Sequence, residues 1–224
     1  MGTLYLAEAE HGKQVAIKVI NPDLANDPHF GARLRGEVAA ARKVRPFCTA
    51  PVLDAALDGH PLYVVTEFIV GPTLKEAITD TGPLHGSDLT ALAVGVASAL
   101  AAIHDAGIVH RDLKPSNVIL SGVGPRVIDF GIAKAPVRDN PTRAGQYFGT
   151  PAYQAPEHIH GGPITPAADV FSWACVVAFA ATGSDPFSGA IHDKARLDSL
   201  DYDLRHLVTR ALSNDPAARP TVAE

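Results

Sequence analysis

A change of pattern near residue 70 constrains this chain most. Before it, short apolar runs read as β-strands; after it, apolar residues recur mostly at helical spacing. Residues 4–9 and 15–20 predict two strands joined by the turn His11-Gly12-Lys13. Residues 52–57 and 62–68 predict a second pair around Asp58-Gly59-His60-Pro61. Between the pairs, residues 30–44 are rich in Arg, Ala, Glu and Leu and predict a helix that Pro46 ends. Past the break, Ser87 is the expected cap of a helix carrying Leu89, Leu92, Ala93, Val96, Leu100 and Ile103, with Gly107 as its stop. Residues 108–120 and 126–128 read as short extended pieces around loops, and residues 139–166, rich in Pro, Gly and Thr, as a long ordered loop of the kind that carries function. Residues 167–182 are strongly apolar and predict a buried helix, and residues 203–212 a final one. The expected fold class is α+β and bilobal: a small β-rich lobe over residues 1–70, a larger helical lobe over residues 71–224, and a hinge near residues 67–71.

The chain has 224 residues, 46% of them hydrophobic, which is enough for a sizeable core. Its net charge of −5 is spread along the sequence, which excludes a basic nucleic-acid tail or membrane anchor in this segment. The apolar stretches at 89–103 and 170–182 are broken by Gly, Ser or Trp and are expected to be too short to span a bilayer. No signal peptide opens the chain, and Cys48 and Cys175 read as buried thiols in a reducing compartment. The expected location is the cytoplasm.

The chemistry concentrates in His110-Arg111-Asp112-Leu113-Lys114-Pro115-Ser116-Asn117, placed in a loop after a helix and before a short strand. Phosphoryl transfer needs a carboxylate near the attacking hydroxyl, cations on the phosphates, and oxygen ligands on a hard metal ion. Asp112, Lys114 and Asn117 supply one of each within six residues. Asp129-Phe130-Gly131 follows the extended piece 126–128, and Val15-Ala16-Ile17-Lys18 is a strand that ends in a lysine. Alone, the tripeptide also fits an ordinary turn and Lys18 a solvated strand end. Their order along the chain gives them weight.

In this octet the sequence resembles the eukaryotic-like (Hanks-type) Ser/Thr protein kinases, and the likeness then extends over nearly all of the chain. The wording Pro46-Phe47-Cys48-Thr49-Ala50 and Gly149-Thr150-Pro151-Ala152-Tyr153 resembles the actinobacterial members. The resemblance implies ATP with Mg²⁺ or Mn²⁺ as cofactors, and Ser/Thr hydroxyls of proteins as acceptors. It implies Asp112 as catalytic carboxylate and Lys114 on the γ-phosphate. Lys18 would contact the α- and β-phosphates, oriented by an ion pair with Glu37. Asn117 and Asp129 would hold the metal. The hinge residues Thr66, Glu67 and Ile69 would line the adenine, between Leu4 and Ala16 above and Ile119 below, with Gly2 in the phosphate-binding loop. Phe130 and His110 would pack together, Glu157 would pair with Arg219, and Asp169 would hold the catalytic-loop backbone. Arg111 would meet a phosphate on the activation segment, with Thr142 as the phosphosite. Lys114 goes with Ser/Thr rather than Tyr specificity. Autophosphorylation in trans implies a transient homodimer.

The sequence departs from the family pattern at its start. Met1-Gly2-Thr3-Leu4-Tyr5 matches only the end of the glycine-rich loop, with Leu4 in place of a valine. The expectation is a truncated small lobe without its first strand and two glycines, and an exposed sheet edge. Losing two backbone N–H donors to phosphate weakens ATP binding by about 10²–10⁴-fold. The stretch between Phe187 and Leu204 is short for the family, which predicts a reduced substrate-docking helix. A pseudokinase-like binding or scaffold module is the alternative that this departure raises. A small-molecule phosphotransferase of the aminoglycoside type fits less well, given Lys114 and Ala155-Pro156-Glu157.

Overall fold

A four-stranded antiparallel sheet forms the small lobe. Its strands are β1 (Thr3–Glu8), β2 (Gln14–Val19), β3 (Val52–Ala56) and β4 (Tyr63–Glu67), in the order β1-β2-β4-β3. The computed structural model describes residues 2–25, 27–130, 151–187, 197 and 200–224. The strand register sets Ala16 opposite Thr66 and Leu4 opposite Lys18, so the predicted base-facing positions share one region of the sheet. β1 is an edge strand, and Leu4, Tyr5 and Leu6 along it are exposed, as the sequence predicted.

Two helices follow β2: α1 (Pro22–Ala25) and α2 (Pro28–Ala41). Asp27 caps α2 through the N–H of His29, with Pro28 at the first helical position. The predicted helix therefore starts two residues earlier and ends three residues before its expected end. Beyond β4 lies a helix that the sequence expectations do not include, α3 (Leu74–Thr81). Its signal was present: Thr73 and Glu76 form a reciprocal capping box. The N–H of Thr73 bonds to the Glu76 carboxylate and, with the hydroxyl, holds that carboxyl below the ordinary glutamate value.

The large lobe is built on α4 (Gly86–Asp105), α6 (Pro166–Thr182) and α7 (Tyr202–Ala211), with a short α5 (Pro156–Ile159) and a hairpin of β5 (Val118–Ser121) and β6 (Gly124–Val127). His85 rather than Ser87 occupies the N-cap of α4. With its 20 residues, α4 is long and apolar enough to cross a membrane by length and composition, contrary to the expectation for this stretch. Here it packs against α6 and β6, and the Trp173 indole of α6 donates to the carbonyl of Ala93 on α4. Residues 168–181 of α6 are all buried. Both cysteine thiols are buried, which pushes both upward and leaves neither as a ready nucleophile.

The lobes are laced together around the β5–β6 hairpin. Val127 exchanges backbone hydrogen bonds with Cys48 and Ala50, and the N–H of Leu120 bonds to the carbonyl of Pro72. Gly71 passes so close to the Leu120 carbonyl, at φ +148°, that any Cβ would collide with it.

Candidate active site

The predicted chemistry comes together around the catalytic loop. The catalytic loop runs from His110 to the 3₁₀ turn Pro115–Asn117, and one buried carboxylate shapes it. Asp169, at the start of α6, accepts from the N–H of His110 at 2.7 Å, the N–H of Arg111 at 2.9 Å and His104 Nε2 at 2.8 Å. Arg111 sits at φ 67° and Asp129 at φ 60°, backbone states that cost free energy in non-glycine residues and concentrate at functional sites. His104 was not anticipated from the sequence. A histidine late in an apolar helix gives no signal until its buried partner is known.

His110 is wholly buried, and its partners fix its proton. Nε2–H donates to the Ile128 carbonyl at 3.1 Å, and Nδ1 accepts from the N–H of Asp112 at 3.3 Å. Its ring lies 6.5 Å from that of buried Phe130, the packing expected from the sequence. The Asp112 carboxylate meets Lys114 Nζ at 3.2 Å. Asn117 Nδ2 donates to the Asp112 carbonyl at 2.8 Å and lies 3.4 Å from its carboxylate. These bonds occupy the amide N–H₂ of Asn117 and leave its oxygen as an acceptor.

Across the cleft, Lys18 on β2 pairs with Asp129 at 3.0 Å. The expected Lys18–Glu37 pair is not formed. Glu37 on α2 instead faces Arg111, with Nη1 at 3.4 Å. The reason is geometric: Asp169 and the left-handed backbone of Arg111 aim the guanidinium toward α2, while Asp129 lies nearer to Lys18. Arg111 Nε is buried and has no hydrogen-bond partner among the described residues. Gly131, Thr142 and Thr150 lie outside the described residues.

Glu157 and Arg219 form the expected pair, as two parallel bonds of 2.7 and 2.8 Å. Tyr153, just before them, is buried and donates to Asp185 at 2.6 Å; burial and that carboxylate push its phenol upward.

The family profile for the protein kinase domain matches residues 1–224. The chain belongs to the protein kinase family. This kinase domain is 45% identical to a probable serine/threonine-protein kinase, PkwA, of Thermomonospora curvata, over 100% of this chain and 31% of the relative. It therefore spans about three-tenths of the length of that curated relative. Its fold resembles the kinase domain of Mycobacterium tuberculosis PknI, with a TM-score of 0.75, 26% identity, and coverage of 98% of this chain and 85% of the other. It also resembles Rad53, solved in complex with AMP-PNP, with a TM-score of 0.80 and 25% identity over 99% of this chain and 59% of the other.

In this kinase domain, Asp169 holds the catalytic-loop backbone. Asp169→Asn replaces one of two acceptor oxygens by a donor. It is expected to lower stability by about 2–3 kcal/mol. It should also lower turnover with little change in nucleotide affinity, read by urea denaturation, initial rates and calorimetric titration with ATP. Unchanged turnover would show that the loop holds its shape without it.

Proposed function

We propose that this domain transfers the γ-phosphoryl group of ATP to Ser/Thr hydroxyls of proteins, including its own chain at Thr142, in the cytoplasm. The observation that carries this reading is the convergence of Asp112, Lys114 and Asn117 from one loop with Lys18 and Asp129 across the cleft. The AMP-PNP complex of the similar Rad53 chain supports a nucleotide there.

Asp112 is the group that orients the acceptor hydroxyl and takes its proton, with Lys114 beside it to balance charge. Lys18 neutralises phosphate oxygens from the small lobe. The donor set fits a hard divalent cation: the Asn117 oxygen is free of its own amide's bonds, and Asp129 is an oxygen ligand with a partly exposed carboxylate. A Mg²⁺ or Mn²⁺ ion held by Asn117 and Asp129 would offset the negative charge of the phosphates. The hinge backbone at Glu67 and Ile69, beside Thr66, receives the adenine between Ala16 and Leu4 above and Ile119 below, with Gly2 at the phosphate side. A Cβ on Gly2 would overlap the Val19 carbonyl, which accounts for a glycine there.

The charge pairs describe a resting arrangement. A phosphate on Thr142 offers Arg111 a stronger partner than Glu37. Such a reaction between two copies needs a transient homodimer. Peptide mass spectrometry after incubation with ATP and Mg²⁺ tests this reading. Phosphate on Thr142, lost in Thr142→Ala, is the expected result. Phosphate confined to other residues would overturn the assignment of Thr142, and none at all would overturn autophosphorylation.

A further inference from the structure

The hinge carboxylate of Glu67 is held from both lobes at once. Lys13, in the turn between β1 and β2, reaches Oε1 at 3.5 Å, and Arg126 on β6 reaches Oε2 at 3.4 Å. The same guanidinium donates twice to the Thr49 carbonyl, from Nη2 at 2.7 Å and Nε at 3.2 Å. Thr49 is itself fully buried, in the small-lobe segment that bridges to Val127. Arg126 thus ties three separate segments: the hinge, the chain entering β3, and the β5–β6 hairpin. Its side chain is only 13% exposed, so these contacts are poorly screened by water.

We propose that Arg126 is a positioning residue for nucleotide binding, acting through Glu67 and Thr49 to fix the hinge against the floor of the cleft. Two placements connect it to the nucleotide. Arg126 is the cross-strand partner of Ile119, the base-floor residue, and it lies three residues before Asp129. Glu67 offers its side chain to the cations, while its backbone is where the adenine edge is read under the proposed function, on which this inference rests. A guanidinium suits the task because its planar fork meets a carbonyl and a carboxylate in one fixed geometry, which an ammonium cannot do. Lys13 is more than half exposed and contributes little.

Calorimetric titration with ATP and Mg²⁺, together with steady-state kinetics, tests the proposal on the whole chain. Arg126→Met is expected to raise the Kd and KM for ATP by about five- to twentyfold, a coupling of ordinary size between linked sites. The KM for the protein acceptor should stay unchanged. Arg126→Lys, which keeps the charge and loses the fork, should fall in between. Glu67→Gln combined with Arg126→Met should be clearly less than additive on ATP affinity, while Lys13→Met should change it by less than about twofold. If Arg126→Met does not fold, Arg126→Lys and Glu67→Gln, singly and combined, carry the same comparison. Unchanged ATP affinity in the folded variants, an equal rise in the acceptor KM, or full additivity would overturn the role of Arg126 and leave the nucleotide site standing. Failure of the unaltered chain to bind ATP would overturn both.

Discussion

Arg219→Ala is expected to lower the stability of the domain by about 3–5 kcal/mol, the usual cost of stranding one member of a buried ion pair. For a chain of this size that corresponds to a fall in Tm of about 6–20 °C. Arg219 has no exposed side-chain surface, and its four shortest hydrogen bonds run to four separate acceptor atoms. The two oxygens of Glu157, the Ala167 carbonyl and the Ser213 carbonyl all take hydrogen bonds of 2.7–2.9 Å. Its guanidinium also lies 5.1 Å from the Phe171 ring. Removing it leaves a carboxylate and two backbone carbonyls without that donor in a dry setting. Replacing both partners, as Glu157→Leu with Arg219→Met, should cost less than the single change, because no charge is stranded.

The same pair predicts a pH dependence. Burial pushes the Glu157 carboxyl upward, but hydrogen bonds and charge from Arg219 outweigh it and hold the group below its ordinary value. A depressed folded-state value contributes stability that is fully present above the unfolded glutamate value of about 4.3 and is lost as pH falls through the folded value. The stability gap between the native chain and Arg219→Ala should therefore narrow in acid. Thermal melts from neutral pH downward check both statements, and a gap independent of pH would contradict the charge-based account.

Asp112→Asn should reduce the chemical step by about 10²–10⁴-fold, the usual weight of a positioned acid–base group. The amide keeps the size of the side chain and its backbone contacts to Asn117 and His110, so the fold should survive. It cannot take a proton, and it removes the negative charge that Lys114 faces at 3.2 Å. ATP affinity should change little, because the proposed contacts of Asp112 are with the acceptor. Turnover that fell only in parallel with ATP binding would place Asp112 on the nucleotide instead.

Much of this architecture was legible in the sequence because short-range rules dictate it. The β1–β2 hairpin follows from the turn at His11-Gly12-Lys13, and α6 from a stretch apolar enough to be buried on every side. The Glu157–Arg219 pair and the hold of Asp169 on the catalytic loop came from resemblance, since 62 and 58–59 residues separate those partners. Charge pairing was the least legible feature. Lys18 and Arg111 each have a choice of carboxylates, and only the aim of the backbone decides between Asp129 and Glu37. The tie through Arg126 was invisible for the same reason: a basic residue in a short strand has no local signature of the hinge it reaches.

The most direct test of the central claim is incorporation of γ-phosphate from labelled ATP, with Mg²⁺, into the chain and a generic basic protein substrate, beside Asp112→Asn. The account predicts label on Ser or Thr residues with the native sequence and none above background with the variant. Absence of label at millimolar ATP, from protein shown to be folded, would contradict it and leave a binding module built on a kinase fold.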